Sequence, residues 1–387
     1  MRLSKKTGMV AAGAAALALT LTACGGEGAG SGGSDGAAGD GDENVQVGVA
    51  MPTQTYERWI QDGNNVKAGL EDLGYTVDLQ FANDDIPTQT QQIDSMITEG
   101  VDVLIIASID GTALTSQLEA AAAANIPVIA YDRLIRDSEN VDFYTTFDNF
   151  AVGVAQANAL LRGLGYLDEN GEATGEEGPY NIELFAGSPD DNNASFFFDG
   201  AMSILQPLLD DGTLVVPSGQ TDFDTVSTQR WELETAQSRM EDLLTSTYTG
   251  GDEELNGVLA PADVLSRGIL NALTGAGMGP TLEDGLPVVT GQDAEIANIK
   301  LINDGVQSST IFKDTRLLAE QAVTATESFV DGEEPEANDT ETYDNGVKVV
   351  PSYLLEVETV FAEDIQPVLI DSEYYTTEEV ESGQAAD

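Results

Sequence analysis

The chain has 387 residues and is 41% hydrophobic, so it is long enough for two or three domains and apolar enough to bury a core. Its 15 Lys and Arg stand against 68 Asp and Glu, and the formal net charge of -53 excludes the basic face that nucleic-acid binding requires. The sequence contains no histidine, which excludes Ser-His-Asp and Cys-His nucleophilic sites and histidine-bound metals. Its one cysteine, Cys24, excludes an internal disulfide and a thiolate metal cluster.

The first residues have the order of a secretory signal peptide. Three cations precede an apolar run over residues 9–22, which is too short to span a membrane. The run ends in LTACG at 21–25, which resembles a bacterial lipobox, where cleavage leaves a lipid-modified cysteine. We therefore predict a signal peptide at 1–23 and lipidation of Cys24. An ordinary signal peptide with a chance cysteine is the alternative.

Residues 24–43 follow as the lipidated cysteine and a linker of Gly, Ser, Ala and acidic residues. Such a chain is flexible and spans roughly 25 Å from end to end. The folded part is predicted to begin at residue 44. We expect it to lie outside the cytoplasm, held by the lipid at the outer face of the cell membrane.

After residue 44, short β-rich runs alternate with stretches of helical periodicity. The first half has predicted strands at 45–51, 76–82, 101–108, 126–132 and 142–148, with helices at 56–73, 88–98 and 113–124. The second half has predicted strands at 180–187, 213–219, 257–263 and 286–293, with helices at 149–164, 192–210, 228–246 and 264–274. Serial βα units predict an α/β fold of parallel, doubly wound sheets, and their number favours two lobes over one sheet.

The residues that follow the predicted strands are polar and aromatic. Ligands of open α/β sheets bind beyond the carboxyl ends of the strands, so these residues are the candidate site. They are Arg58, Trp59, Ser108, Asp110, Asp132, Arg133, Asp148, Asn149, Asp190, Asp191, Asn192, Asn193, Arg230, Trp231, Asp263, Gln292, Asp293 and Lys313. Carboxylates accept the protons of sugar hydroxyls, cations and amides donate to them, and an indole covers an apolar sugar face. The set therefore favours a free sugar as ligand.

Each of these residues also has a purely structural interpretation. The segment 190–193 has the composition of a helix N-cap, Asp132 and Arg133 have that of a local ion pair, and Trp231 that of a core residue. The functional interpretation depends on the set, because both tryptophans and several of the few cations would lie at one edge of the sheets.

Longer stretches resemble a known family. They are ERW (57–59), IAYDRLI (129–135), ELFAGSPDDNNA (183–194), TGQDAE (290–295) and STIFKDTR (309–316). Over residues 45–357 the chain resembles the xylose-type and multiple-monosaccharide-binding proteins of bacterial ABC sugar importers. The resemblance implies a type I periplasmic-binding fold, with two lobes, three hinge crossings and a sugar in the cleft.

The resemblance also implies the boundaries of the lobes. The crossings are expected near Asp148-Asn149, Asp293-Ala294 and Lys313-Asp314. The first lobe is then 44–148 plus 294–312, the second lobe is 149–293 plus 313–360, and residues 361–387 form an acidic C-terminal tail.

Ten residues are implied as sugar contacts by the matching motifs. They are Arg58, Trp59, Asp132, Arg133, Asp191, Asn193, Trp231, Asp263, Asp293 and Lys313. Further cleft or hinge residues are expected at Ser108, Asp110, Asp148, Asn149 and Gln292. The chain departs from the xylose-binding pattern at Ala262, where those relatives have Asn.

The expected function is capture of a monosaccharide of the xylose, glucose, galactose or arabinose type and its delivery to a membrane permease with a cytoplasmic ATPase. We expect a monomer with no enzymatic activity, no cofactor and no metal, since no EF-hand-like calcium loop is apparent. A sugar sensor that docks a chemoreceptor or sensor kinase is an alternative, and a secreted glycosidase is a remote one. A repressor-type regulator would need an N-terminal helix-turn-helix where this chain has a signal peptide.

Overall fold

The computed structural model describes residues 45–249 and 254–385. The predicted signal peptide, the lipidation site at Cys24 and the linker lie outside these residues. None of the helices within the two described ranges is long and apolar enough to cross a membrane.

The strands of the described residues are short, and six of the twelve are buried along their whole length. In chain order they are β1 Gln46–Met51, β2 Thr76–Phe81, β3 Val103–Ile106, β4 Val128–Tyr131, β5 Phe143–Phe147, β6 Tyr180–Leu184, β7 Leu214–Val215, β8 Gly257–Leu259, β9 Val288–Val289, β10 Thr310–Phe312, β11 Ser352–Leu355 and β12 Glu358–Val360.

Helices separate most of these strands. They are α1 Glu57–Asp72, α2 Ile86–Glu99, α3 Thr115–Ala123, α4 Asn149–Gly163, α5 Asn192–Asp211, α6 Phe223–Val226, α7 Leu233–Thr247, α8 Asp263–Gly275, α9 Ile296–Asn303, α10 Thr315–Val330 and α11 Thr377–Ser382. Two 3-10 helices at Gln229–Trp231 and Ala362–Asp364 and a π-helix at Ile365–Ile370 complete the set. The predicted helix at 228–246 is thus a 3-10 turn followed by α7.

The first lobe is built on a six-stranded parallel sheet in the order β11-β5-β4-β3-β1-β2. In its register Val49 of β1 lies beside Leu79 of β2 and Ile105 of β3. Alternate side chains face opposite layers of helices. Val49 and Ile105 share a core with α1 and α10, whereas Ala50 packs with α2 and α3. Helices on both faces explain why these strands are continuously apolar.

The second lobe has a four-stranded parallel sheet in the order β7-β6-β8-β9. Helices α4 and α5 pack against each other and bury Leu160 and Leu205 with the sheet. Helices α7 and α8 pair in the same way and bury Met240 and Ile269. The antiparallel pair β10-β12 adjoins this sheet, because the Ile311 amide donates to the carbonyl of Gly291 after β9. The predicted two-lobed α/β architecture is confirmed.

The predicted assignment of the last segments to the lobes is reversed in the structure. Residues 294–312 belong to the second lobe, where β10 adjoins β9. Residues 315–355 belong to the first lobe, because α10 packs on α1 and β11 pairs with β5. The chain therefore crosses between lobes at 148–149, at 313–314 and near 356–357. The crossing predicted at Asp293-Ala294 is a turn within the second lobe.

The predicted acidic tail is also wrong as far as residue 385, the last one described. Ile365, Leu369, Tyr375 and Val380 are buried against α9, and they form one hydrophobic cluster with Phe312 and Val360. Residues 361–385 are therefore a packed part of the second lobe. This C-terminal segment keeps its acidic side chains mostly at the surface while its widely spaced apolar residues face inward.

Candidate functional site

A narrow cleft lies between the two lobes, where their parallel strands end. Its wall consists of Tyr56, Arg58, Trp59, Asp132, Arg133, Asp191, Asn193, Phe197, Trp231, Ala262, Val264, Gln292, Asp293, Glu295 and Lys313. Nine of the ten predicted contact residues are in this wall, and so is Gln292 from the further set. Both lobes contribute, so a ligand in the cleft would touch both of them.

Arg58 stands at the centre of a buried cluster of charges. At the start of α1, its guanidinium lies 2.9 Å from carboxylate oxygens of both Asp62 and Asp132 and 3.3 Å from Oδ1 of Asp293. Burial alone would lower the pKa of Arg58, but the three carboxylates outweigh it and raise the pKa well above its usual value. Arg58 therefore stays charged and joins Asp132 of the first lobe to Asp293 of the second.

Lys313 completes the cluster from the hinge. Its Nζ lies 2.9 Å from Asp293 Oδ1 and 4.0 Å from Asp132 Oδ2. Burial alone would raise the pKa of Asp132, but Arg58, Lys313 and Arg133 together hold it below its usual value. Asp132 is thus an ionised acceptor with some of its lone pairs available to a ligand hydroxyl.

The backbone at Asp132 is held in an uncommon conformation. Asp132 follows β4 directly and has a φ of 59°, in the left-handed region. Its carbonyl oxygen accepts hydrogen bonds from Tyr144 Oη at 2.7 Å, Thr146 Oγ1 at 3.0 Å and Asn193 Nδ2 at 2.6 Å. These three bonds fix where the carboxylate points, and the one from Asn193 crosses to the second lobe.

Arg133 and Asp191 form a second link across the cleft. Arg133 Nε lies 3.2 Å from Asp191 Oδ2, while Arg133 Nη1 donates to the carbonyl of Ser108. Asp191 also caps α5 by accepting a hydrogen bond from the Asn193 amide at 3.0 Å. Burial raises the pKa of Asp191, and Arg133 opposes that shift. Asp191 therefore caps α5 and also lies in the wall of the cleft.

The two tryptophans occupy opposite lobes. The indole of Trp59 packs against the guanidinium groups of Arg58 and Arg133, at 4.4 and 5.0 Å from its ring centroid. Trp231 rests on Gly187 and makes an edge contact with Phe197 at 6.3 Å. Both rings are nearly buried in the closed cleft. They form apolar walls of the kind that the C–H faces of a sugar ring contact.

Asp263, by contrast, does not face the cleft. Its side chain is fully buried in the second lobe, where it accepts hydrogen bonds from Gln307 Nε2 at 2.9 Å and from the Glu295 amide at 2.9 Å. Burial raises its pKa well above the usual value. Its neighbours Ala262 and Val264 line the cleft instead. The prediction of Asp263 as a direct contact therefore places it too close to the ligand.

Three of the remaining predicted cleft or hinge residues, Ser108, Asp148 and Asn149, support the wall from outside it. Asn149 Nδ2 donates to Asn193 Oδ1 at 3.1 Å, and Asp148 caps α4. The Ser108 carbonyl accepts from Arg133, as described above. Within the described residues, the side chain of Asp110 makes hydrogen bonds only with Thr112 of its own loop.

Three wall residues were missed from the sequence besides Val264. Tyr56 donates from Oη to the carbonyl of Trp231 at 3.3 Å, and burial raises the pKa of Tyr56 to about 12, so this donor stays neutral. Glu295 pairs with Arg267, and burial raises its pKa. Phe197 lies four residues after Asn193 on α5, so the helical period alone places it on the same face.

Hydrogen bonds also join the lobes at the rim of the cleft. Arg230 Nη1 donates to the Asp84 carbonyl at 3.0 Å, and Arg136 Nη2 reaches the Asp190 carbonyl at 3.4 Å. With the links made by Arg58 and Arg133, these contacts describe a closed pair of lobes. The arrangement offers acceptors and donors in alternation around a small space between two aromatic walls, which suits a compact polyhydroxylated ligand.

Comparison with known proteins agrees with this geometry. Residues 47–334 match the model of the "Periplasmic binding protein domain" family. The chain is 54% identical over 334 residues to the multiple sugar-binding periplasmic receptor ChvE of Rhizobium radiobacter, covering 86% of this chain and 92% of that one. It is 34% identical over 336 residues to the D-xylose-binding periplasmic protein of Escherichia coli, covering 87% and 92%.

Among solved structures, an ABC transporter solute-binding protein from Clostridium phytofermentans with bound β-D-glucose superposes with a TM-score of 0.80. The two sequences are 46% identical, and the match covers 87% of this chain and 99% of the other. These relatives are sugar-binding proteins rather than enzymes, which agrees with the prediction from the sequence. The chain therefore belongs to the periplasmic binding protein family, with the type I fold that its motifs resemble.

Proposed function

We propose that this protein is an extracytoplasmic solute-binding protein that captures a neutral monosaccharide and delivers it to an ABC permease. The observation that carries the proposal is the buried cluster of Arg58, Asp132, Asp293 and Lys313, which lies between the lobes and joins them. Its groups match the donor and acceptor needs of sugar hydroxyls. The named relatives bind several sugars, D-xylose or β-D-glucose, which supports glucose and xylose as the first candidates.

The charge balance of the cleft favours a neutral ligand. Each of its cations already pairs with a carboxylate, as Arg133 does with Asp191 and Lys313 with Asp293. An acidic sugar would bring its own carboxylate against these oxygens at a cost in repulsion. A hydroxyl instead donates to a carboxylate and accepts from the cation beside it, so every group of the pair keeps a partner.

The proposed mechanism is closure of the lobes about the three crossings. In an open state water hydrates Asp132 and Asp293, and a sugar that replaces this water contacts both lobes at once. Because only the closed state makes all of these contacts, sugar binding shifts the population toward closure. The closed surface is then the form that a permease distinguishes from the open one.

Three further parts of the proposal depend on the sequence and the family. The lipobox-like motif supports lipid attachment at Cys24 and anchoring to the outer face of the membrane. The family supports partnership with an ABC permease. We further propose that the protein acts as a monomer.

The test is calorimetry and thermal unfolding of the soluble form, residues 25–387, with glucose, xylose, galactose, arabinose and galacturonate. A sugar at ~100 times its dissociation constant should stabilise the folded state by about 2.7 kcal/mol. Asp293→Asn should abolish most of this effect. Asp304→Asn is the matched control, because Asp304 is a surface carboxylate of the same lobe that pairs with Lys300. A flat response to every neutral sugar would refute the proposal.

A further inference from the structure

Asp293 belongs to a turn that the chain does not adopt readily. Asp293 has a φ of 92° and Ala294 a φ of 50°, so two successive residues other than glycine lie in the left-handed region. Side chains with a Cβ are uncommon there, and such conformations persist only where surrounding contacts impose them. The position of the Asp293 carboxylate therefore depends on whatever holds this turn.

Four hydrogen bonds, each to a different partner residue, hold the turn. They run from the Asp293 amide to the Ile311 carbonyl at 2.8 Å, from the Ala294 amide to Thr310 Oγ1 at 3.2 Å, from the Glu295 amide to Asp263 Oδ2 at 2.9 Å and from Tyr375 Oη to the Ala294 carbonyl at 3.0 Å. The acceptors of the first three lie in β10 and at the start of α8. The fourth comes from the C-terminal segment, 81 residues further along the chain.

The burial of Tyr375 favours this hydrogen bond. It is 4% exposed and packs in the cluster that contains Ala294, Ile299 and Phe312. Burial raises the pKa of Tyr375 well above its usual value, so its hydroxyl remains a donor. The buried carbonyl of Ala294 would otherwise lose this bond, and an unpaired buried carbonyl is unfavourable.

The residues beside Tyr375 attach the same segment to the first lobe. Tyr374 Oη donates to Gln61 Oε1 of α1 at 3.1 Å and lies 3.2 Å from Thr315 Oγ1 at the start of α10. Arg316 Nη1 donates to the Ser372 carbonyl at 2.9 Å. The segment thus contacts both lobes behind the hinge while it holds the turn of Asp293.

We propose that Tyr375 is a positioning residue for Asp293, and that the C-terminal segment is therefore part of the ligand-binding apparatus. Tyr375 does not line the cleft. It acts on the ligand through the Ala294 carbonyl and the backbone that carries the Asp293 side chain. This inference depends on the proposed sugar-binding function.

The experiment compares Tyr375→Phe with Tyr248→Phe by calorimetry with glucose. Tyr248 is the matched control, because it is a buried tyrosine of the same lobe whose hydroxyl donates to Glu183 Oε1 at 2.8 Å, away from the cleft wall. Loss of one hydrogen bond that supports Asp293 should weaken glucose binding about 3- to 10-fold in Tyr375→Phe. Tyr248→Phe should lose stability but keep its affinity within about twofold. In the Asp293→Asn background, Tyr375→Phe should cause no further loss.

A second measurement does not require a ligand. Amide hydrogen exchange of residues 291–296 should be faster in Tyr375→Phe than in the wild type, and unchanged in Tyr248→Phe. Wild-type glucose binding with an equal affinity in Tyr375→Phe would overturn the positioning role, whether or not exchange changes. If the wild type binds no sugar of the panel, the proposed function fails first and this inference fails with it, so the two failures are distinguishable.

Discussion

Replacing Gly187 with alanine is expected to abolish most sugar binding without unfolding the protein. Gly187 lies directly beneath the indole of Trp231. A Cβ built at this position would be 1.9 Å from Cη2, 2.2 Å from Cζ2 and 2.5 Å from Cζ3 of that ring. The backbone of Gly187 itself accepts alanine, since its φ is not among the positive ones. The conflict is therefore with one side chain of the cleft wall.

The size of the effect follows from the distances. Contacts of a Cβ become ordinary at 3.4 Å, so the ring must move by about 1.5 Å, and the open side is the cleft. The displaced indole loses its place against a sugar face and enters the space of the ligand. On the scale of base–aromatic stacking this costs about 1–3 kcal/mol, or a rise in dissociation constant of roughly 5- to 140-fold. The free energy of unfolding should fall by about 1 kcal/mol, the lower end of the range for overpacking, because the ring can shift into the cleft.

The assay is calorimetric titration with glucose and xylose, beside urea unfolding of the ligand-free protein. Gly275→Ala is the matched control. Gly275 ends α8 in the same lobe, and a Cβ there meets nothing within 4 Å, so both affinity and stability should stay at wild-type values or above. Wild-type affinity in Gly187→Ala would refute the role of Trp231 as a wall of the sugar site. A loss of affinity that merely follows a loss of several kcal/mol in stability would refute the local explanation.

Three further predictions concern charged residues. Burial raises the pKa of Asp62 to about 6, above its value of ~3.9 in an unfolded chain. The stability of the wild type relative to Asp62→Asn should therefore increase by about 2 kcal/mol as pH falls from 7 to 4, and parallel urea-unfolding curves across this range would contradict it. Arg230→Ala removes the rim bond to the Asp84 carbonyl, and stopped-flow fluorescence should show dissociation about 2- to 5-fold faster for every sugar, with preferences unchanged. Lys313→Met leaves the Asp293 carboxylate short of its 2.9 Å partner in a buried site, and calorimetry should show affinity at least ~100-fold weaker; a change under threefold would be incompatible with the ion-pair cluster.

Much of the site could be predicted because its residues follow strands at short range. The strand that ends at Tyr131 places Asp132 and Arg133 at the carboxyl edge of a sheet, and the N-cap pattern at Asp191 locates the start of α5. Both signals are local in sequence. They required no knowledge of which strands are neighbours.

The direction in which a side chain points could not be predicted from such local signals. The predicted strand 257–263 puts Asp263 at a strand end, as Asp132 is. In the structure β8 ends at Leu259, Asp263 begins α8, and its carboxylate turns into the second lobe. That orientation is set by Gln307 and Thr310, which come to it only when β10 adjoins the sheet. No pattern within a few residues of Asp263 records this contact, so the sequence could not separate the two aspartates.

The predicted lobe boundaries are wrong for a similar reason. The sequence of the short strand Thr310–Phe312 does not indicate which sheet it joins. The sequence of Ser352–Leu355 is compatible with either lobe. Pairing with β12 and with β5 decides their places, and both pairings are long-range. In the C-terminal segment the abundance of acids concealed the apolar spacing of Ile365 and Leu369.

The three crossings also determine when each lobe can finish folding during synthesis of the chain. The first sheet lacks its edge strand β11 until Leu355 has been made, and the apolar face that α10 covers stays bare until Val330. A shorter chain would present an unpaired strand edge at β5, which favours association with other chains. Both lobes require residues beyond 310, so they become stable late and nearly together, and a ribosome that stalls earlier leaves neither lobe finished.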